Sequence, residues 1–295
     1  MHVTLDGVVS AGDTGDTLTE REGWKMKHIV CYSGGHSSAL VAIEVVRKYG
    51  QDSVVLLNHD IHPNIEDADI KRFKREVSEY LHVPITYANH PHWSEKDQFD
   101  VCIDAKAFRV VRGQALCTNR LKTQPFDKWL NEFVPDKNCV IYYGFDAGEK
   151  VRIQRRSQIL GMRGYKSDYP LALWNVETER TIFSTRDVGI EPPLTYGDFK
   201  HANCKGCLKA SKQHWYIVFC NYPEIWNKAK HAEEVIGYSI MNDYLEDVED
   251  MFSKMKCAGI RTTEHEDPRT FFARVRRQFK DVNDDGDTKP CECVF

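Results

Sequence analysis

No run of about 18 apolar residues, the length needed to span a bilayer as a helix, occurs anywhere in this 295-residue chain. The opening stretch, Met1 to Gly23, is acidic and polar where a secretory leader would be apolar. Positive charge is not in excess. With 40 Lys and Arg against 44 Asp and Glu, the formal charge is −4, so contact with nucleic acid or an anionic surface has to come from a local basic patch. No internal repeat is present, which removes solenoids and propellers from consideration. The expectation is a cytoplasmic protein that makes no membrane contact. Its 10 cysteines then read as reduced thiols, the clustered ones serving as ligands or in redox work.

What the chain does have is a strand-to-helix turn of unusual composition. In His28-Ile-Val-Cys-Tyr-Ser-Gly-Gly-His-Ser-Ser-Ala-Leu-Val-Ala42 an apolar, β-prone run stops at Ser33-Gly34-Gly35, and a helical pattern that is apolar on nearly every face follows, closed by Gly50. Two glycines let the backbone approach a ligand, while a helix start offers N–H groups and positive dipole to an anion. Ser33, Ser37 and Ser38 add hydroxyls, and His36 lies among them. A tight turn without a ligand is the alternative reading.

Further along, Ser53-Val-Val-Leu-Leu57 and Pro84-Ile-Thr-Tyr87 read as strands, separated by Ile70, Phe73, Val77 and Leu81 at helical spacing. Val140-Ile-Tyr-Tyr143 supplies another strand, after a helix carrying Phe126, Trp129, Leu130 and Phe133. Alternating strands and amphipathic helices predict an α/β fold with a doubly wound parallel sheet. Ligands in such sheets sit at the carboxyl ends of strands. Those ends carry Ser33-Gly34-Gly35, Asn58-His59-Asp60 and Gly144-Phe145-Asp146. Composition changes near Arg186 to Asp198, so the expected organisation is an arm (1–24), a nucleotide-binding α/β domain (25–198), a helical C-terminal part (199–280) and a tail (281–295).

Four motifs occur in order: Ser33-Gly-Gly-His-Ser-Ser38; Cys117-Thr-Asn-Arg-Leu-Lys122-Thr-Gln-Pro125; Gly144-Phe-Asp-Ala-Gly-Glu149-Lys-Val-Arg152; and Pro192-Pro-Leu194 leading to Cys204-Lys-Gly-Cys207. Over roughly residues 25 to 220 the chain resembles the PAPS reductase-like branch of the PP-loop ATP pyrophosphatases, the adenine nucleotide alpha hydrolase-like, Rossmann-like group. That resemblance implies ATP or a related adenine nucleotide held by Ser33, Gly34, Gly35, His36, Ser37, Ser38 and Gly144, with Asn58 and Asp60 near the nucleoside. Lys122, Glu149, Arg152 and Cys117 are the candidate catalytic residues. Magnesium is an expected companion of the phosphates, but Ser37 stands where the family usually has an acid, and a hydroxyl holds so hard a cation weakly.

Cys204 and Cys207, two residues apart, can bite one metal. With Cys117 they make three soft ligands, which by the resemblance suits a four-iron four-sulfur cluster. A redox dithiol, or a zinc site completed by His201, His214 or Cys220, stays open. The implied activity is sulfur handling on a nucleotide or a nucleic-acid base, with a sulfur donor protein as a partner and a homodimer as the assembly. Sulfonucleotide reduction through Cys291 or Cys293 is one alternative, and a nucleotide-sensing module without catalysis is another. Arg155, Arg156, Arg163 and Lys166 are expected to extend a positive field. The segment Arg269 to Lys280 reads as a base-stacking track or as an amphipathic helix with its phenylalanines turned inward. His90, His92 and Trp93 lie on a loop, where the histidines are either metal ligands or surface groups.

Overall fold

The computed structural model describes residues 26–110, 113–202 and 204–279. The expected arm and tail, with Cys291 and Cys293, lie outside the described residues.

Five parallel strands form the centre: β1 (Lys27–Cys31), β2 (Val54–Asn58), β3 (Ile85–Tyr87), β4 (Cys139–Tyr142) and β5 (Lys166–Asp168), in the spatial order β3-β2-β1-β4-β5. The registers, for example Ile29 opposite Val55 and opposite Ile141, put β1 in the middle. Its side chains alternate between two apolar layers, as a sheet covered on both faces requires. Val30 and Tyr32 pack with Val41 and Val45 of α1 (His36–Tyr49) and with Phe73 and Val77 of α2 (Ala68–Leu81). Ile29 and Cys31 face the opposite layer, with Phe126, Leu130 and Leu160.

That second layer is built by a nearly continuous helix and by the crossover to β5. The helix begins at α4 (Leu116–Thr118), passes through a π-helical turn at Asn119–Thr123 and runs on as α5 (Gln124–Phe133). The crossover is α6 (Lys150–Met162), and a short α7 (Pro170–Leu173) follows β5.

A third, helical layer has its own aromatic core of Trp215, Tyr216, Trp226, Phe252 and Phe271. It comprises α8 (Lys212–Asn221), α9 (Pro223–Ile236), α10 (Leu245–Cys257) and α11 (Pro268–Gln278), and it also takes in α3 (Gln98–Asp104) from the insertion after β3. Lys228 of α9 ties the layer together by holding both Asp97 and Asp100, at the start of α3, at 2.8 Å. On α11 the phenylalanines turn inward, Phe271 and Phe272 being buried while Arg269, Arg274 and Arg277 are exposed. Among the described residues no helix is long and apolar enough to cross a membrane.

Four of the strands lie within a residue or two of their expected positions. β5 was not expected, because Lys166-Ser-Asp168 is three polar residues with no apolar alternation. Lys166 opens that three-residue strand at its amino end, and Arg163 pairs with Asp127 at 2.6 Å.

Candidate functional site

The strand order reverses between β1 and β4, since β1 connects outward to β2 on one side while β4 leads to β5 on the other. Loops leaving the carboxyl ends of two such strands diverge and leave a crevice. Here it is a cleft of about 400 Å³ lined by Ser33, Gly35, His36, Ser37 and Ser38 from the first loop and by Tyr143, Gly144, Phe145 and Asp146 from the second. Lys122, Glu149 and Arg152 join them. Nine of the candidate residues named from the sequence therefore face one space.

Two glycines make the close packing possible. At Gly34 φ is +82°, and a Cβ would lie 2.7 Å from Cγ of Lys74. At Gly144 a Cβ would lie 2.9 Å from the backbone of Ser37 and Ser38, so the β4 loop rests directly on the first turn of α1. Gly34 and Gly144 thus shape the site from behind. Gly35, the N-cap of α1, makes no side-chain capping bond, which leaves the turn's amides to other partners. Ser38 Oγ donates to Gly35 O at 2.8 Å and lies 3.1 Å from Ser33 Oγ.

One amide already has an oxygen. Tyr196, from the turn at Leu194–Gly197, accepts the His36 N–H at 2.9 Å, and its own hydroxyl proton can be given to an anion in the cleft. The His36 ring turns away, Nε2 accepting from the Thr185 N–H at 3.2 Å. Burial, and then Arg186, hold its pKa below the usual histidine value. Tyr196, His201 and Ala202 all line the cleft. None was expected there, because no local pattern folds the Pro192-Pro-Leu-Thr-Tyr segment over the start of α1.

Charge in the cleft is arranged as follows. Arg152 lies with its guanidinium 4.3 Å from the centre of the Phe145 ring and pairs with Glu149. Asp146 accepts from Gly148 N at 2.8 Å and so braces its own loop. Lys122 comes from the π-helical turn, a feature that re-aims side chains within a helix. His59, hydrogen-bonded through Nδ1 to Ala88 O, has its pKa lowered to about 4 by burial and by Lys122, against the pull of that bond.

Asn58 and Asp60 do not line this cleft. Asn58 is buried, donates to Tyr32 O and receives Lys74 at 3.3 Å, while Lys74 is held by Glu66 at 2.8 Å. Burial raises the pKa of Glu66, and Lys74 draws it back down. Asp60 pairs with Lys71 at 2.9 Å. Their geometry supports the turn rather than reaching a ribose in the cleft.

The three cysteines meet elsewhere. Cys117, Cys204 and Cys207 line a second, largely apolar cavity of about 40 Å³, together with Trp93, Gln98 and Leu208. Lys122 and Ile61 line both spaces and so form the wall between them. A cavity of that size admits a few water molecules, each needing roughly 10–15 Å³. Among the described residues no three His, Cys, Asp or Glu side chains are gathered closely enough to hold a metal. As they stand, these cysteines converge on one cavity without forming a ligand set for a cluster.

Nor do the other candidate zinc ligands complete one. His214 Nε2 accepts from Cys207 N at 3.4 Å and its Nδ1 lies 2.7 Å from Glu264. His201 lines the first cleft, and Cys220 is half-buried beside Tyr216. The CxxC turn is clasped from both sides, Gln98 Nε2 donating to Lys205 O at 2.8 Å and Lys205 reaching Asp67 at 3.0 Å. His90 and His92 have ring centres 5.9 Å apart on their loop.

No family model, curated protein or solved structure matches the chain. The family resemblance accordingly rests on the four motifs, and the fold stands as a Rossmann-like α/β architecture.

Proposed function

We propose that the cleft binds ATP or a related adenine nucleotide through its phosphates, and that the protein is a PP-loop, PAPS reductase-like enzyme that activates or thiolates a nucleotide or nucleic-acid substrate. The observation that carries this reading is the meeting of the Ser33–Ser38 turn, the Gly144–Asp146 loop, Lys122 and Arg152 at the β1/β4 switch point. Helix-start amides and two cations facing one space favour a polyanion, and would stabilise negative charge as it develops.

In the activation step an acceptor oxygen attacks the α-phosphorus of ATP, and pyrophosphate leaves with the electron pair of the broken P–O bond. A sulfur nucleophile, supplied by a donor protein, then attacks the activated carbon and AMP departs. Ser33, Gly35 and Ser38 hold phosphate; Lys122 and Arg152 meet the charge on the leaving groups, with Glu149 orienting Arg152. A magnesium ion finds only Asp146 and Glu149 as carboxylates lining the cleft, both already engaged, so the residues present fit such an ion poorly.

Sulfur handling by Cys117, Cys204 and Cys207 is supported by their convergence next to Lys122. A cluster would need them to close up from their present positions, and the iron content and visible spectrum of anaerobically purified protein, compared with Cys204→Ala, decide it. Full iron and full turnover in that variant would remove the cysteines from the mechanism.

A module that binds nucleotide without turning it over is the second reading, favoured by Ser37 in place of an acid and by the Tyr196 hydroxyl on the His36 amide. Incubation with ATP and magnesium separates the two: release of AMP and pyrophosphate establishes the enzyme, and unchanged ATP alongside measurable binding establishes the module.

A further inference from the structure

Arg156 follows Arg152 by one turn of α6 and is only 7 % exposed. Its Nε has no hydrogen-bond partner, and among the described residues no carboxylate pairs with its guanidinium. Lys74, the other deeply buried cation beside this site, has Glu66. A buried charge without a counter-charge is costly to keep. The face of Tyr143, 5.3 Å from the guanidinium carbon, offsets part of that cost. Burial pushes the neighbouring Cys31 thiol up to about 12, so no thiolate balances Arg156 at neutral pH.

Tyr143 has a related deficit. It is 1 % exposed and fixed between Phe145 and Tyr169, with ring centres at 5.4 and 6.0 Å. Its hydroxyl lies beside the Cys31 thiol, a weak acceptor, and has no oxygen or nitrogen partner. Both Tyr143 and Cys31 line the cleft. A donor that lines the cavity and a cation stacked on its ring, each lacking an oxygen or nitrogen acceptor, therefore lie on the side of the cleft that Arg152 borders, with Arg156 itself outside the lining.

We propose that Tyr143, with Arg156 stacked on its ring, marks an oxyanion subsite on the β4 side of this cleft, separate from the Ser33–Ser38 turn, taking a phosphate or sulfate group with Arg152 at its edge. The existence of the subsite follows from the two orphaned side chains; its assignment to a nucleotide rests on the reading above. Tyr143 donates its hydroxyl proton in a hydrogen bond to the oxyanion, and Arg156 supplies the compensating charge from behind. The ligand is then gripped at two places, by main-chain amides near β1 and by side chains near β4.

The test uses the full chain with inorganic phosphate, sulfate and AMP as probes, followed by calorimetry and thermal melting. Phosphate is expected to raise the melting temperature of the wild-type protein. Arg156→Met removes a buried charge, so its melting temperature without phosphate should equal or exceed the wild-type value while the phosphate-induced rise disappears. Tyr143→Phe keeps the ring stack and should weaken phosphate at least about tenfold. If Arg156→Met does not fold, Tyr143→Phe decides alone. Wild-type phosphate affinity in either folded variant overturns the subsite.

Competition between AMP and phosphate would assign it to the nucleotide, and simultaneous binding would assign it to a free oxyanion. Phosphate binding that depends on Tyr143 and Arg156 without any adenylate binding would sink the nucleotide reading and leave the subsite standing. Adenylate binding together with phosphate binding that is indifferent to both substitutions would do the reverse.

Discussion

The two cavities on either side of Lys122 are built by different means. The cleft at the sheet's switch point is framed by two strand-end loops brought together by parallel topology and by Gly144 packing on the backbone of Ser37 and Ser38. The cysteine cavity is made from side chains of distant segments, Cys117 before the π-helical turn and Cys204 and Cys207 in the turn ahead of α8. The first is open and about ten times larger, 400 Å³ against 40 Å³. Topology thus shapes the cleft before any particular side chain is chosen, whereas the cysteine cavity depends on where individual side chains fall.

The largest effect that can probe this contrast is removal of the buried cation under the turn. Lys74→Met leaves the buried Glu66 with only the more distant Lys71 at 3.8 Å, a loss on the order of 3 kcal/mol, and should also weaken nucleotide binding, because the Lys74 stem lies against Gly34. Its counterpart in the helical layer is Glu233→Ala. Glu233 accepts from Ile240 N at 2.6 Å and Leu245 N at 2.7 Å, and its loss should lower stability without changing nucleotide affinity. Urea unfolding and calorimetry on both variants would show whether the layers are separable; equal loss of affinity would erase the distinction.

Acid should act next most strongly, and on the cleft side. Between pH 6.5 and about 4 the unfolded chain protonates His59 while the folded chain does not, so stability is complete above that window and falls as pH drops through it, by about 3 kcal/mol from this residue. His36, its pKa also lowered by burial, adds to the same slope. Unfolding free energies measured across the window should show a shallower slope in His59→Gln than in wild type, and an unchanged slope would remove His59 as the cause.

Gly144→Ala is expected to cost roughly 1–3 kcal/mol, the usual range for forcing extra atoms into a packed region, and more than tenfold in nucleotide affinity (about 1.4 kcal/mol), since it drives the β4 loop off the start of α1. The smallest effect sharpens the comparison most: Cys117→Ala or Cys207→Ala should alter any bound iron or sulfur while shifting nucleotide affinity less than about threefold.

The sheet and its first turn were legible because burial on two faces writes an apolar run, and because Gly34 and Gly144 meet steric demands that can be recognised in sequence. β5 was not, since Lys166-Ser-Asp168 is short and polar and owes its place to pairing with β4. Tyr196 and His201 reach the cleft by a fold-back that no periodicity encodes. Asn58 shows the limit of position alone: it ends β2 as a ligand-binding residue would, but its amide is spent inside, on Tyr32 and Lys74. For the cysteines, spacing could propose a shared wall but not the distances across it. On α11 the helical period of Phe271, Phe272 and Val275 outweighs its arginines, because burying those rings completes the aromatic core.

Calorimetric titration of the wild-type chain with ATP and with AMP addresses the central claim most directly. One saturable site per chain, tighter for ATP, weakened by salt and strongly weakened in Gly144→Ala and Lys122→Ala, is the expected result. No heat with either adenylate at millimolar concentration, or equal binding in both variants, would contradict it.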